Sequence, residues 1–174
     1  MFAIMDGNRV SALAPREPDL PRSIEVLDVS GIPGIMVGWT RGPDGRLHAP
    51  VLPKESLRDC AREVCRTIEQ GGVAVPAVGG LRIATDDRSK TLVLGARMAA
   101  LADPGFTTTW FALDGSRHAL RAPEVVAISD AVLAHVAACF AARAAVEAAI
   151  EAGTVTTSAE VAAAPWPPAA PPGA

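Results

Sequence analysis

The sequence predicts a mixed α+β protein with a short N-terminal β arm, two amphipathic helices with small β-hairpins, one long C-terminal helix and an extended proline-rich tail. Seven of the fifteen prolines fall within the first 53 of 174 residues. Each proline removes a backbone N–H and fixes φ, so long helices are excluded there. Apolar side chains recur every three or four residues over 54–70, which is typical of a helix. We therefore divide the chain into an arm (1–53), a module (54–153) and a short helix with its tail (154–174).

The N-terminal arm is predicted to contain short strands. Residues 1–5 are apolar and run into a tight turn at Asp6-Gly7-Asn8, and residues 35–40 form a second strand candidate before a turn at 43–45. We expect the prolines to prevent a self-contained domain, so that apolar side chains such as Trp39 need another surface to cover them. The arm is therefore interpreted as an attachment device, with Trp39 as a candidate contact to a partner protein.

The first helix is predicted over 54–70. Leu57, Ala61, Val64 and Ile68 recur along one face, whereas charged residues, Glu69 among them, form the other. Two glycines at 71 and 72 end the helix, and the segments 73–75 and 81–84 then form a hairpin.

The second helix is predicted from a cap at Asp86 to about residue 102. The sequence Asp103-Pro104-Gly105 ends it, and a hairpin follows with strands over 107–113 and near 118–120. The expected apolar positions of this helix are Leu92, Leu94, Ala96, Met98 and Leu101.

The long helix is predicted over 123–152, with Gly153 as its stop. One stripe is apolar, whereas the opposite side is almost entirely alanine, and we expect subunits to meet there through residues that include Ala138 and Ala145. A solvated alanine surface is the competing interpretation, because alanine is the best helix former. Arg143 interrupts the apolar stripe with Glu147 one turn later. We therefore expect these two residues to pair at the rim of an interface, with this half of the helix leaving the domain core.

The C-terminal segment is predicted to form a short helix after a capping box at Thr157-Ser158-Ala159-Glu160. Five prolines among the last ten residues favour an extended tail. Trp166 is flanked by prolines and is a candidate anchor that binds across a neighbouring protein; a solvated tail is the alternative.

Composition excludes several classes of function. The net charge of −3 and the sequence pI of about 5.6 argue against nucleic-acid binding. Uncharged stretches fall short of the ~20 residues that a membrane span requires, so no membrane association is expected. Three cysteines are too few and too unevenly spaced for a disulfide framework, which indicates synthesis in a reducing compartment.

The sequence contains no pattern typical of an enzyme or of a cofactor site. There is no phosphate-binding loop, and the spacing of Cys60 and Cys65 does not suit a metal knuckle. His135 and Cys139 lie one helical turn apart and could share a metal, although a packed histidine beside a buried cysteine is favoured. The acidic pair at 86–87 is interpreted as a helix N-terminus. We therefore assign no catalytic, cofactor-binding or metal residues.

Short motifs occur in a fixed order between residues 57 and 150. They are Arg58-Asp59, Gly71-Gly72-Val73, Thr85-Asp86-Asp87-Arg88-Ser89, Gly95-Ala96, Trp110 with Asp114-Gly115, and Ala134-His135-Val136-Ala137-Ala138-Cys139-Phe140. With this order and spacing, the stretch resembles a domain of unknown function that occurs in tail-fibre and other tail-associated proteins of tailed bacteriophages.

The resemblance implies a structural component of a phage particle. It would be made in the cytoplasm of the bacterial host and built into the virion tail as a tail-fibre or baseplate attachment subunit. Its partners would be other tail proteins and further copies of itself. A tail-fibre assembly chaperone, absent from the finished virion, is the alternative. The family has no established catalytic residues, so the resemblance transfers none.

Overall fold

A computed structural model describes residues 1–168 and has the mixed α+β fold that the sequence predicts. The chain forms two compact units, Met1–Pro53 and Lys54–Ala174. Each unit has its own strands and its own buried residues.

The first unit is an antiparallel sheet of five short strands in the order β3-β1-β2-β4-β5. A two-residue turn with Gly7 at φ +60° joins the first two strands, as the tight turn at 6–8 predicted. The strands are β1 (Phe2–Asp6), β2 (Arg9–Ala14), β3 (Val26–Asp28), β4 (Thr40–Arg41) and β5 (Leu47–His48).

Two expectations for the arm are wrong. Residues 35–39 do not form a strand, because the chain turns with Gly34 and Gly38 at φ +70° and +100°, and only Thr40 of the predicted segment enters β4. The arm is also self-contained, because its sheet encloses a small core of Ala3, Met5, Val10 and Val29. Short strands between the prolines are sufficient to pair with one another.

The second unit contains four helices and two hairpins, close to their predicted positions. The helices are α1 (Lys54–Gln70), α2 (Asp87–Ala102), α3 (Ala122–Ala152) and α4 (Ser158–Ala162). The paired strands are β6 (Val73–Val75) with β7 (Leu81–Ile83), and β8 (Thr107–Phe111) with β9 (Arg117–Arg121).

Helices α1 and α3 pack antiparallel to each other. At one end, the Nζ atom of Lys54 donates to the backbone oxygen of Glu151 (2.8 Å), and Arg58 pairs with the Glu151 carboxylate. At the other end, His135 Nε2 lies 3.1 Å from the Ile68 oxygen. The face of α1 is slightly misassigned in the sequence analysis, because Glu69 is buried and pairs with Lys90 of α2.

Helix α2 packs against α3 through a face of small residues. Its buried side chains are Val93 and Ala100. The Arg97 guanidinium forms an ion pair with Asp130 Oδ1 of α3 (2.5 Å). The predicted apolar face of α2 is therefore mostly wrong. Ala96 packs against the core, whereas the four large side chains of that prediction are exposed: Leu92, Leu94, Met98 and Leu101.

The C-terminal half of α3 remains in the core, contrary to expectation. Cys139 and Ile150 are fully buried and Val146 is nearly so. Helix α1 packs along this part of α3, where the Cys65 thiol lies 3.6 Å from the Cys139 oxygen. Ion pairs to Glu151 hold the two helices together to the end of α3, so no partner is needed to cover its apolar stripe.

Helix α4 begins at the predicted capping box, in which Thr157 and Glu160 bond each other's backbone N–H groups. It packs on α1 with Val161 fully buried, so residues 154–168 belong to the second unit. Trp166 is half-buried, and its Nε1 donates to the Val161 oxygen (2.8 Å). The ring therefore docks on its own chain rather than standing free. The tail prediction for 169–174 lies outside the described residues.

We expect deletion of residues 1–50 to leave the second unit folded, because the described core cluster formed by β6, β7, β9, α2 and α3 contains no residue of the first unit. The helical circular dichroism per remaining residue should rise, and thermal unfolding should stay cooperative. Loss of the helical signal would show that the second unit requires the sheet.

We expect Thr85→Val to destabilise the second unit by about 2–3 kcal/mol, because it leaves buried polar groups unpaired. The buried Thr85 hydroxyl donates to the backbone carbonyl oxygen of Glu69 (2.6 Å) and accepts from the backbone N–H of Gly72 (2.9 Å). Thr85→Ser keeps both hydrogen bonds and should cost about 1 kcal/mol for the lost methyl group. Urea unfolding of the two variants measures the difference; a valine variant as stable as the serine variant would contradict it.

Candidate protein-interaction surface

Helix α3 exposes a broad face without charge. This open face consists of the exposed residues Leu133, Ala134, Ala137, Ala138, Phe140, Ala141, Ala144, Ala145 and Ala148. The opposite face of the helix is the buried stripe that packs on α1 and α2. The helix is therefore apolar on both sides, whereas a helix at the surface of a globular protein normally carries charged residues on its outer side.

Two large side chains stand among the alanines of the open face. Leu133 is 68% exposed and Phe140 is 57% exposed. They lie seven residues apart, two helical turns, and so project from the same side of α3. That side is predicted from the sequence to be almost entirely alanine, and Leu133 and Phe140 are absent from the prediction. Placing them on the helical wheel outside the buried stripe would have found them.

Helix α2 extends this apolar surface. Leu94 of α2 and Leu133 of α3 line one shallow groove of about 210 Å³ between the helices. Met98 and Leu101 lie four and seven residues after Leu94 and are also exposed. Two helices thus contribute five large exposed apolar side chains to this part of the molecule.

Ion pairs lie at the edges of the surface. Arg97 and Asp130 join α2 to α3, and Arg143 Nε donates to Glu147 Oε1 at 2.7 Å on α3 itself. The predicted pairing of Arg143 with Glu147 is confirmed. Both side chains are half-buried and line a small hollow with Phe140, so they border the open face.

The structure brings together four of the six predicted interface residues. Ala138 and Ala145 lie on the open face, with Arg143 and Glu147 at its edge. Ala145 also lines an apolar groove of about 380 Å³ between α3 and the segment after it. The other two predicted interface residues, Trp39 and Trp166, are distant in sequence from the open face. Each packs on the unit to which it belongs.

Trp39 helps to cover the small core of the first unit and is half-buried. Its Nε1 atom is buried without a hydrogen-bond partner among the described residues. The exposed apolar side chains of this segment are instead Met36 and Val37. A contact between Trp39 and another protein stays a prediction.

His135 and Cys139 are packed residues, as favoured by the sequence analysis. Their side chains lie 3.9 Å apart, and His135 Nε2 is directed at the Ile68 oxygen. Burial raises the pKa of the Cys139 thiol to about 11 and also raises the pKa of Cys65. Within residues 1–168, no group of three or more His, Cys, Asp or Glu side chains is placed to hold a metal ion.

Helix α3 is long and apolar enough to cross a membrane, judged by length and composition alone. Its 31 residues contain an 18-residue window with a mean hydropathy of 2.0, whereas the sequence analysis counted only uncharged stretches. The core helix of a globular unit passes the same test, and one side of α3 packs on α1 and α2. The absence of membrane association stays a prediction.

A family model described as "Domain of unknown function (DUF4376)" matches residues 53–165. The chain belongs to this family. The DUF4376 match includes all four helices and both hairpins of the second unit, and therefore the whole open face. The sheet of the first unit lies outside the match. No curated protein and no solved structure matches the chain.

We expect one of the three thiols to react with a disulfide reagent such as DTNB in the native protein at pH 8. Cys60 is half-buried, whereas Cys65 and Cys139 are buried and have raised pKa values. Absorbance should report one equivalent before unfolding and three in guanidinium, and Cys60→Ser should abolish the native reaction. Rapid reaction of all three thiols would contradict the packing of α1 on α3.

Proposed function

We propose that the protein is a structural subunit of a tailed-phage particle, at a tail-fibre or baseplate attachment point, that works by protein–protein assembly. The open face of α3 is the observation that carries this proposal. The resemblance of the second unit to a module of phage tail proteins supplies the biological setting. The subunit would contact other tail proteins and further copies of itself in the virion tail.

The size of the apolar surface supports an assembly role. Leu94, Met98, Leu101, Leu133 and Phe140 are each more than half exposed. Covering the exposed part of each would stabilise a complex by about 1–2 kcal/mol per side chain. The alanines between them allow a partner helix to approach closely. Large exposed apolar side chains on neighbouring helices are typical of interaction sites, and Leu94 and Leu133 line one groove.

An assembly chaperone that leaves before the virion is complete would also need an apolar surface that is open in the free protein. Mass spectrometry of purified phage particles separates the two functions. A virion subunit is present in a fixed copy number, whereas a chaperone is found in the lysate and is absent from particles.

We expect Ala138→Glu with Ala145→Glu to abolish self-association and incorporation into particles, because the open face would then carry two charges that a complex must desolvate. Both alanines are exposed, so the fold should be retained. Sedimentation velocity and particle proteomics are the measurements. Leu133→Ser with Phe140→Ser should act in the same way, and these two residues lie outside the groove that Ala145 lines.

The matched control is Ala77→Glu with Ala159→Glu, which adds the same charge at exposed alanines outside α3. This control should assemble normally. Flotation with liposomes distinguishes a protein partner from a membrane. Normal assembly of both open-face variants, or flotation of the wild type that those variants abolish, would overturn the proposal.

A further inference from the structure

Another apolar groove lies between α2 and β8. Its volume is about 490 Å³. One wall is α2, where Gly95 leaves space because a Cβ atom there would meet nothing within 4 Å. Its lining includes the apolar side chains of Leu92, Ala96, Ala99, Phe106, Trp110 and Phe111.

The other wall of the groove carries a free strand edge. Ala122 N–H donates to the Phe106 oxygen and Ala112 N–H donates to the Ser116 oxygen. Because backbone groups alternate in direction along an antiparallel strand, residues 106, 108, 110 and 112 turn theirs towards β9. The backbone groups of Thr107, Thr109 and Phe111 therefore point away from β9.

Nothing in residues 1–168 pairs with that outer edge along β8. The strand belongs to a two-stranded sheet, and the neighbouring bond on this side comes only after its end, from Leu113 N–H to the Arg82 oxygen (2.9 Å). Beyond that point the chain leaves β7 and leads into α2, and Ala84, the first residue after the strand, lines the groove. The unpaired edge and the apolar groove thus lie side by side.

A free strand edge beside a groove selects for an extended chain. Backbone N–H and C=O groups on the edge bind a peptide that adopts the strand conformation, while alternate side chains of the peptide enter the groove. A helix or a small apolar molecule would leave the edge unsatisfied. An extended segment of a partner protein is the occupant that uses both features.

The charges near one end of the groove favour an acidic segment. Arg82 lies on the same face of β7 as Ala84, Arg88 precedes the groove residue Ser89, and Arg117 is opposite Phe111 in the hairpin. None of the three has a carboxylate partner within ion-pair distance in the described chain, and the Arg82 Nε atom is buried without a hydrogen-bond partner.

Three carboxylates also lie near this end, and each is engaged by a neighbour in the chain; Asp87 pairs with Lys90 of α2 (2.8 Å). Asp86 accepts from the Ser89 backbone and hydroxyl, and Asp114 accepts from the same two groups of Ser116. None of these carboxylates forms an ion pair with Arg82, Arg88 or Arg117 among the described residues, so the three arginines stay available to a charged ligand.

We propose that the α2–β8 groove binds an extended peptide segment of a partner protein, added as a third strand to the outer edge of β8, with acidic residues of the segment near Arg82, Arg88 and Arg117. The site is separate from the open face of α3. It does not depend on the protein being part of a phage.

The test uses the full chain and fluorescein-labelled octapeptides. Each contains three threonine–valine repeats and two glutamates, placed at the N-terminus in one peptide and at the C-terminus in the other. Two control peptides carry lysines in place of the glutamates. Measured by fluorescence anisotropy, at least one glutamate peptide should bind about tenfold more tightly than the lysine peptide of the same design. Added salt should reduce this difference, because exposed charges are screened. N-methylation of alternate peptide bonds should abolish binding, since it removes the backbone donors.

Two variants place the peptide in the groove. Gly95→Phe fills the open space on α2, and Thr109→Pro removes an outward N–H without removing a bond to β9. Each should weaken binding at least about tenfold at an unchanged thermal midpoint. The matched controls Gly95→Ala and Thr109→Ala should bind as the wild type does.

Three results would overturn the proposal. They are failure of both acidic peptides to bind, equal binding of the N-methylated and parent peptides, and wild-type binding by a folded Gly95→Phe variant. None of these results bears on assembly through α3, because the isolated protein is used and the open face is unchanged.

Discussion

The second unit depends on one constraint, which is that the apolar stripe of α3, from Val125 to Ile150, must be covered. Helix α1 covers one side of α3 along the whole length of α1. Ile68 of α1 lies beside His135 of α3 at one end, and Lys54 lies beside Glu151 at the other. Helix α2 covers the N-terminal half, where Arg97 and Asp130 fix its position. The hairpins and α4 pack around this arrangement. Among the described residues, none of these elements covers the outer side of α3, and the candidate interface is that exposed side.

The success of the sequence analysis followed the contrast between polar and apolar positions. Helix α1 has charged residues on one side, so its bounds and half of its buried residues, Leu57 and Ala61, could be predicted. From Leu92 onwards, α2 is apolar on all sides apart from Arg97. Its buried face is decided by close approach to α3, which requires small residues such as Val93 and Ala100 and turns Leu94 and Met98 outwards. A hydrophobicity pattern does not contain that steric information.

The first unit shows a second limit. Pairing of β1 with β3 joins residues more than twenty positions apart, and no local pattern indicates it. The segment 35–39 is apolar enough for a strand, yet positive φ at Gly34 and Gly38 makes it a turning segment in which Trp39 packs on the sheet. The strand nearest that segment, β4, is two residues long because one turn precedes it and another follows. The positions of Gly34 and Gly38, rather than the hydrophobicity of the segment, therefore decide that residues 35–39 turn instead of forming a strand.

The alanines of the open face do not by themselves require a partner. Alanine has the highest helix propensity and exposes little apolar area, so an isolated surface helix could contain many of them at no cost. Leu133 and Phe140 are different, because neither packs in the core and both are more than half exposed. Helix propensity explains Ala138 and Ala145 whether or not a partner binds. Exposure of Leu133 and Phe140 to water is unfavourable, and covering them with another surface would stabilise the protein. The interface argument therefore stands on Leu133 and Phe140, and the alanines determine how closely a partner helix can approach.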